Sequence, residues 1–229
     1  MTDLARRQGV TPFMILLSVF YGLLHHRTGV GDLTVGTPMA NRLAPGSDRV
    51  VGYFSNTVVL RTGVRGEDSF EELLARVREV CLDAYAHQAL PFDTLVERLR
   101  PPRERGRTPL FQSLFAFEDE SALERTVGGL RLSRFRSLPT GYAKFELGWV
   151  VTDRDGTLQI AATYRSDLFD AATVRGLLEQ YEQLLLRFLA QPGSAVGSPE
   201  QRRSVAGPLL PDERRPVGGA PTAQRTDPS

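Results

Sequence analysis

Residues 84–112 read A-Y-A-H-Q-A-L-P-F-D-T-L-V-E-R-L-R-P-P-R-E-R-G-R-T-P-L-F-Q, and they decide how the neighbouring segments are interpreted. A helix is predicted to end near Gln88, because Pro91 cannot continue it and disfavours helix in the preceding residue. Apolar residues at helical spacing predict a second helix over residues 92–99, which the next two prolines end. On physical grounds alone the stretch indicates two helices packed on a sheet, followed by a solvated arginine-rich loop.

The composition predicts one globular domain. The chain has 229 residues, of which 41% are hydrophobic, so a real core is expected. Its 28 basic and 27 acidic residues nearly cancel, so no overall charge favours nucleic acid or a membrane surface as a partner. The single cysteine, Cys81, excludes an internal disulfide and a multi-cysteine zinc site. Because it falls on the apolar face of a helix, we expect an inert core thiol rather than a nucleophile.

The N-terminal segment shows no secretory signal. Residues 1–8 are polar and charged, and the apolar run over residues 13–24 is about 12 residues long. That run is too short to span a bilayer and is more typical of a buried helix. A cytoplasmic location is therefore the default expectation.

Three helices have recognisable starts. Thr11 and Pro12 begin one that is apolar nearly all round and ends near Arg27, so we expect it to be buried. The capping box Ser69-x-x-Glu72 begins a second, and the residues after it place one apolar stripe along the helix. Asp170 is the predicted cap of the last helix.

The strand signals lie between these helices and complete an α/β domain. Residues 32–38 are a short strand and 39–48 a loop, residues 110–117 form a central strand, and residues 118–129 are a polar loop. The remaining predicted strands are 50–60, a half-buried strand over 130–135, and a hairpin of 143–151 with 157–164.

Asn56 is the one polar residue singled out within a strand. It shares a strand face with Phe54 and Val58, and a buried amide needs hydrogen-bond partners. Two interpretations stay open: Asn56 bonds to a neighbouring loop, or it faces a wet channel.

Residues 192–229 differ in composition from the rest of the chain. Pro, Gly, Ser, Ala and Arg dominate, and no apolar periodicity survives beyond Leu209 and Leu210. We predict a folded part over residues 1–191 and a linker or disordered tail over 192–229.

The usual signatures of catalysis and of metal binding are missing. The three histidines show no metal-ligand spacing beyond the adjacent pair His25 and His26. No glycine-rich phosphate loop follows a strand, and no serine lies in a G-x-S-x-G elbow.

The ordered motifs resemble the late motifs of the condensation domains of nonribosomal peptide synthetases. H-Q-A-L-P-F-D-T-L-V-E-R-L and T-P-L-F-Q carry the resemblance, which extends over residues 4–210. Two positions depart from the pattern: Ser55 stands where Val is usual, and Glu146 where Asp is usual. The further matching segments are T-P-F-M-I-L-L (11–17), V-G-T-P-M-A-N-R (35–42), V-G-Y-F-S-N-T-V-V-L-R (51–61), A-K-F-E-L (143–147) and Y-R-S-D-L-F-D (164–170).

All of these matches come from the second half of the family pattern. The family's catalytic motif is H-H-x-x-x-D-G in the first half, and this sequence has no counterpart of that half. The pair His25–His26 is not that motif, since Val30 stands where its Asp should be and the pair ends a buried helix. A histidine near a helix C-terminus is electrostatically favourable, so we interpret His25 as a helix-end residue.

The resemblance implies a chloramphenicol acetyltransferase-like fold, here one α/β (α+β sandwich) lobe with a mixed sheet flanked by helices. The family has two such lobes in a V, and the phosphopantetheine arms of two carrier domains enter the tunnel between them. Residues 1–191 would be the C-terminal lobe, and the tail would lead to a downstream adenylation domain. Arg42 and Asn56 would lie near the tunnel or the lobe junction. An Arg there can pair with a carboxylate of the other lobe. For both residues, a hydrogen bond that only holds the fold is the alternative.

The function implied is a share in amide formation between carrier-bound acyl groups, with no metal or cofactor bound by the lobe itself. Without the first lobe and its histidine, no condensation activity is expected. The alternatives are a non-catalytic lobe that docks carrier proteins, an inactive remnant, or an α/β domain of another role. A lobe alone would expose apolar surface, so we expect dimerisation, aggregation or partial folding.

Overall fold

The described part of the chain forms five α-helices, one short 3-10 helix (Ser47–Arg49) and seven strands. The computed structural model describes residues 1–102, 106–119, 125–132, 141–154 and 156–197. The helices are α1 (Thr2–Gln8), α2 (Pro12–Thr28), α3 (Phe70–Ala86), α4 (Phe92–Leu99) and α5 (Ala171–Ala190). The strands are β1 (Asp32–Met39), β2 (Asn56–Gly63), β3 (Ser113–Asp119), β4 (Arg125–Val127), β5 (Leu130–Leu132), β6 (Leu147–Arg154) and β7 (Thr157–Tyr164).

Helix α2 is the buried helix that the sequence predicts. The Thr11 side chain accepts a hydrogen bond from the Met14 amide at 3.3 Å, and Pro12 occupies the first turn. All residues from 14 to 23 are buried, which fits a helix without a polar face. Gly29, at φ 69°, ends the helix in the left-handed conformation that glycine adopts without strain.

The main sheet is mixed, as predicted. Its strand order is β2-β1-β3-β6-β7, so β3 is the central strand. Strand β3 runs parallel to both β1 and β6, whereas β1–β2 and β6–β7 are antiparallel pairs. The long connection from β2 to β3 contains α3 and α4, and it carries the chain past β1, which lies between these two strands in the sheet. Strands β4 and β5 form a separate two-stranded sheet.

One face of the main sheet is covered by α2, α3 and α5, and the core lies there. Trp149 on β6 is fully buried, with its ring centroid 5.5 Å from Phe20 of α2 and 5.4 Å from Tyr181 of α5. The Tyr181 hydroxyl donates to the Leu16 carbonyl at 2.9 Å, so its polar atom is satisfied inside the core. Alternate residues of the strands thus pack on the three helices.

The opposite face of the sheet is closed over β1 by a single aromatic ring. Phe111, which is 1% exposed, lies against Gly36 of β1. A Cβ atom at Gly36 would come within 2.4 Å of the ring, so only glycine permits this approach.

Three predicted strands begin later than the sequence indicates. The pairing of β1 with β2 ends at Met39 and Asn56, so the predicted strand 50–60 starts only at Asn56. Val51 is 101% exposed, and β-branched residues favour strands mainly where neighbours cover them. The strands predicted over 110–117 and 143–151 start at Ser113 and Leu147, because turns occupy the residues before them.

Two further predictions are wrong in part. The predicted polar loop 118–129 contains the strand β4, and its residues 120–124 lie outside the described part. The strand predicted over 130–135 is described only as β5, and its residues 133–135 are also outside. Leu130 is 71% exposed, so β5 is not half-buried there; it pairs with β4 rather than with the main sheet.

The packed body continues past the predicted boundary at residue 191. Residues 192–197 lie along the start of α3, and Val196 is fully buried. The Pro, Gly and Ser composition of this segment suits a tight return of the chain as well as it suits a linker. Residues 198–229, the rest of the predicted tail, lie outside the described part.

Among the described helices, none is by itself long and apolar enough to cross a membrane. Helices α1 and α2 would meet that requirement only when taken together, and they meet at a bend of 96°.

Replacing Gly36 with Ala tests the contact with Phe111. We expect Gly36→Ala to lower the free energy of unfolding by about 1–3 kcal/mol, because the new methyl group overlaps a buried ring. The matched control is Gly63→Ala in the paired strand, where a Cβ meets nothing within 4 Å; its change should stay within about 0.5 kcal/mol. Urea unfolding followed by circular dichroism measures both, and equal changes would contradict the contact.

Candidate functional site

Both site residues predicted from the sequence lie at one end of the β1–β2 pair. Asn56 begins β2 opposite Met39, the last residue of β1. Arg42 follows three residues after β1, in the loop of residues 40–55 that joins the two strands. We call this loop, with Asn56, the junction loop.

Arg42 holds the junction loop by binding backbone carbonyls of the same loop. Its guanidinium donates to the carbonyl of Val50 at 3.0 Å and of Gly52 at 3.3 Å, and also to that of Ser47. It also lies 4.4 Å from the centroid of the Phe54 ring. Among the described residues, no carboxylate forms an ion pair with Arg42. The fold-holding hydrogen bond, one of the two alternatives for Arg42, is thus present in this structure.

Asn56 ties β2 to the connection between α3 and α4. Its amide nitrogen donates to the carbonyls of Gln88 at 2.9 Å and Leu90 at 2.7 Å. Its amide oxygen accepts from the backbone nitrogen of Phe92 at 3.1 Å. Of the two interpretations left open for Asn56, the bond to a neighbouring loop is the one found.

The bond to Phe92 completes a helix start that lacks its own cap. Helix α4 follows Pro91, whose side chain makes no capping hydrogen bond. The Asn56 oxygen takes the place of a capping side chain, although it lies 36 residues earlier in the chain. No local sequence signal at α4 could have indicated this partner.

The junction loop presents apolar side chains to the outside. Leu43 is 56% exposed, Val50 51%, Val51 101% and Tyr53 88%. We call these four residues the apolar rim. Neighbouring exposed apolar residues are typical of protein contact surfaces. Four exposed apolar side chains thus belong to one loop of 16 residues.

Four of the sequence motifs meet at the ring of Phe111. It contacts Gly36 of V-G-T-P-M-A-N-R, lies 5.6 Å from the ring of Phe92 in H-Q-A-L-P-F, and lies 5.4 Å from that of Phe145 in A-K-F-E-L. Phe111 itself belongs to T-P-L-F-Q. The structure thus assigns these motif residues a packing role beside the junction loop.

An unusual turn aims Phe111 at Gly36. Leu110 has φ 70°, and the Phe111 amide donates to the Pro109 carbonyl at 2.9 Å, which is a γ-turn with a positive central φ. The Thr34 hydroxyl donates to the Leu110 carbonyl at 2.7 Å and holds the turn against β1. Such a conformation costs a non-glycine residue about 1–2 kcal/mol, and sequence analysis missed it by extending the strand over Leu110.

Glu146 is a buried carboxylate whose partner comes from another motif. It is 7% exposed, and its Oε1 lies 3.3 Å from Nε of Arg107, which precedes T-P-L-F-Q. A buried charge requires such a partner. This pair joins the A-K-F-E-L segment to the end of the arginine-rich loop.

The histidine pair ends α2, as predicted. A ring nitrogen of His25 lies 2.9 Å from the Val30 carbonyl, and His26 contacts the Val196 carbonyl through its Nε2. Both rings therefore bind backbone carbonyls near the C-terminus of a buried helix. Among the described residues, no group of three or more His, Cys, Asp or Glu side chains is placed to hold a metal ion.

Cys81 is buried on the inner side of α3, as predicted. It is fully enclosed, and burial raises the pKa of its thiol to about 12. A thiol that stays protonated at neutral pH is a poor nucleophile, which supports the interpretation as a core residue.

Comparison with known proteins identifies one family. A family model described as Condensation domain matches residues 1–203. A linear gramicidin synthase from Brevibacillus parabrevis is 36% identical over 195 residues, which are 85% of this chain and 4% of that protein. Phosphinothricin tripeptide synthetase from Streptomyces viridochromogenes is 40% identical over 192 residues, 83% of this chain and 18% of that protein. The chain therefore spans a small part of these relatives.

Solved structures share the fold. The condensation domain of the Monacolin K polyketide synthase matches with a TM-score of 0.73 at 21% identity, over 85% of this chain and 45% of that one. The first condensation domain of the calcium-dependent antibiotic synthetase, in complex with a substrate analogue, gives 0.72 at 21% identity, over 86% and 44%. A four-domain nonribosomal peptide synthetase bound to AMP and glycine gives 0.76 at 23% identity, over 85% and 16%.

Loss of the Asn56 side chain should loosen the connection between α3 and α4. We expect Asn56→Ala to lower the free energy of unfolding by about 1–3 kcal/mol, because three hydrogen bonds are lost. Limited proteolysis should then cut residues 88–92 faster. The control Thr57→Val, at the next position of β2, should change stability by less than about 0.5 kcal/mol. If the Asn56→Ala variant were as stable as this control, the three hydrogen bonds assigned to Asn56 would be contradicted.

Cys81 should react only when the chain unfolds. At about pH 8 we expect the folded chain to react with Ellman's reagent at least about a hundredfold more slowly than the urea-unfolded chain, because burial keeps the thiol protonated and inaccessible. The unfolded chain should release one equivalent of thionitrobenzoate from the reagent, since the sequence contains one cysteine. Rapid reaction of the folded chain would show that Cys81 is not enclosed in the core.

Proposed function

Because the chain belongs to the condensation-domain family, we propose that it is the C-terminal lobe of a condensation domain in a nonribosomal peptide synthetase. The observation that carries the proposal is the extent of the match to isolated condensation domains. The match takes up 85–86% of this chain but 44–45% of those domains. A share of slightly under half is expected for one lobe of a two-lobed domain, and the motifs place it in the second half.

The reaction served by the complete domain is amide formation between two carrier-bound acyl groups. The amine of one aminoacyl group attacks the thioester carbonyl of the other; a C–N bond forms, the C–S bond breaks, and the amine proton is transferred to the departing thiolate. The general base expected for this step is the second histidine of H-H-x-x-x-D-G, which lies in the first lobe. This chain would contribute one wall of the tunnel and the contact surface for the other lobe.

Arg42 and Asn56 are proposed to shape that contact surface. Asn56 positions residues 88–92 through three hydrogen bonds, and Arg42 holds the junction loop through carbonyls. Their side chains would act on the tunnel by positioning backbone. The apolar rim, including Val51 and Tyr53, would be covered by the first lobe, which explains why a single lobe leaves it exposed.

The proposed partners follow from the same assignment. They are the first lobe, two carrier domains and a downstream adenylation domain, and the phosphopantetheine arms enter as part of the carrier-bound substrates. One of the similar structures is a four-domain synthetase, which supports this general arrangement. The individual partners and the cytoplasmic location stay predictions.

A non-catalytic docking lobe is the second candidate. It is favoured by the site itself, in which the described side chains bind backbone and present the apolar rim. The two candidates differ in one testable respect. A lobe of an enzyme gains activity when a first lobe is supplied, whereas a docking lobe binds carrier proteins and gains none.

Reconstitution with a first lobe tests the proposal. The purified chain should form no dipeptide from two aminoacyl-loaded carrier proteins, because the base is missing. Adding the first half of a complete condensation domain, such as the first one of the calcium-dependent antibiotic synthetase, should restore product detectable by mass spectrometry. Replacing the second histidine of that lobe's motif with alanine should abolish the product.

Substitutions in the apolar rim extend this test. Val51→Asp and Tyr53→Asp should each reduce the restored activity at least about tenfold, since an unpaired carboxylate buried between lobes costs more than about 1.4 kcal/mol. Gln159→Asp, on the exposed side of β7, is the matched control and should leave the activity unchanged. Full activity of both rim variants would rule out the proposed lobe contact, and carrier binding without restored activity would favour the docking lobe.

A further inference from the structure

Residues 192–197 return along the start of α3 and are bound to it through their backbone. Ala195 forms an antiparallel bridge with Ser69. The Val196 amide donates to the Asp68 carbonyl at 2.8 Å, and the Gly197 amide donates to the Gly66 carbonyl at 2.8 Å. This segment is therefore joined to the residues before α3 by one bridge and two further backbone hydrogen bonds.

The same segment completes the start of α3. A helix begins with four backbone amides that have no partner within the helix. Here the capping box satisfies two of them: Ser69 N donates to Glu72 Oε2 at 2.7 Å, and Glu72 N donates to Ser69 Oγ at 3.2 Å.

The other two amides donate to carbonyls of the returning segment. Phe70 N donates to the Ser194 carbonyl at 2.9 Å, and Glu71 N donates to the Pro192 carbonyl at 3.1 Å. Of the four amides at the start of α3, two thus donate to side chains of the capping box and two to backbone carbonyls that lie more than a hundred residues later in the chain.

Two other helices hold the segment in place. From α5, Nη2 of Arg187 donates to the carbonyls of Ala195 at 3.1 Å and Val196 at 3.2 Å. From the end of α2, His26 contacts the Val196 carbonyl. The Val196 side chain is fully buried, so the segment also contributes to the core.

The pairing requires glycine at its last position. A Cβ atom at Gly197 would lie 2.8 Å from the Cα of Gly66, with no flexible side chain between them. Gly193, in the same segment, has nothing within 4 Å of such an atom. Gly193 is therefore a matched control for Gly197, because an added methyl group would meet backbone atoms only at Gly197.

We propose that residues 192–197 are a clamp that caps α3 and ties its start to α2 and α5, so that the start of α3 opens when this segment detaches. This inference concerns the fold of this chain and does not depend on the proposed condensation reaction.

Hydrogen exchange of the full chain, followed residue by residue by NMR, tests the clamp. In the parent chain, the amides of Phe70 and Glu71 should be protected to a similar degree as that of Glu72. In Gly197→Ala, we expect the Phe70 and Glu71 amides to exchange at least tenfold faster, while β3 and β6 amides keep their rates. Gly193→Ala should leave all of these rates within about twofold, because its added methyl group meets nothing.

Arg187→Met provides a second variant in case Gly197→Ala fails to fold. The substitution removes the two hydrogen bonds to the Ala195 and Val196 carbonyls but keeps an unbranched apolar side chain at this position of α5. It should also make the Phe70 and Glu71 amides exchange at least tenfold faster. Unprotected Phe70 and Glu71 amides in the parent chain would overturn the clamp. Unchanged rates for these amides in Arg187→Met, or in a folded Gly197→Ala, would overturn it equally.

Discussion

The contact between the Phe111 ring and Gly36 is the constraint on which the second face of the sheet depends. A ring 1% exposed, lying where any Cβ would come within 2.4 Å, sets the distance between β1 and the chain that enters β3. The strained turn at Leu110 directs the ring to that place. Phe92 and Phe145 pack against the same ring, so α4 and the entry to β6 are positioned by it as well. Close packing of this kind leaves few alternative arrangements.

Polar groups at the ends of the helices are satisfied by distant parts of the chain. Asn56 supplies the cap that Pro91 cannot, and residues 192–197 supply two of the four acceptors at the start of α3. Both arrangements follow from the cost of leaving a backbone amide without a partner. They also place α3 between two anchors, the clamp at its start and Asn56 just past its end. The stability of this helix is therefore shared with β2 and with residues 192–197.

Membership of the condensation-domain family allows these structural features to be related to a function. The described side chains at the junction loop bind backbone carbonyls and expose the apolar rim, which is the chemistry of a contact surface. In the proposed two-lobed enzyme, base catalysis belongs to the other lobe, and this lobe supplies shape. The rigidity of the junction loop then matters more than the acidity of any of its side chains, because the tunnel wall must hold two carrier-bound groups in place.

Local signals in the sequence determined the helices α2 to α5, their capping residues and the family, but not the short helix α1. Thr11, Ser69 and Asp170 are caps because their side chains act within one turn, and α4 follows from its apolar spacing. Asn56 was identified as a residue that needs partners. Which partners it has, where β2 begins, the turn at Leu110 and the clamp beyond residue 191 were decided only by the tertiary structure. Those features depend on contacts between segments tens to more than a hundred residues apart, and a strand or a cap made across such distances leaves no periodic trace in either segment.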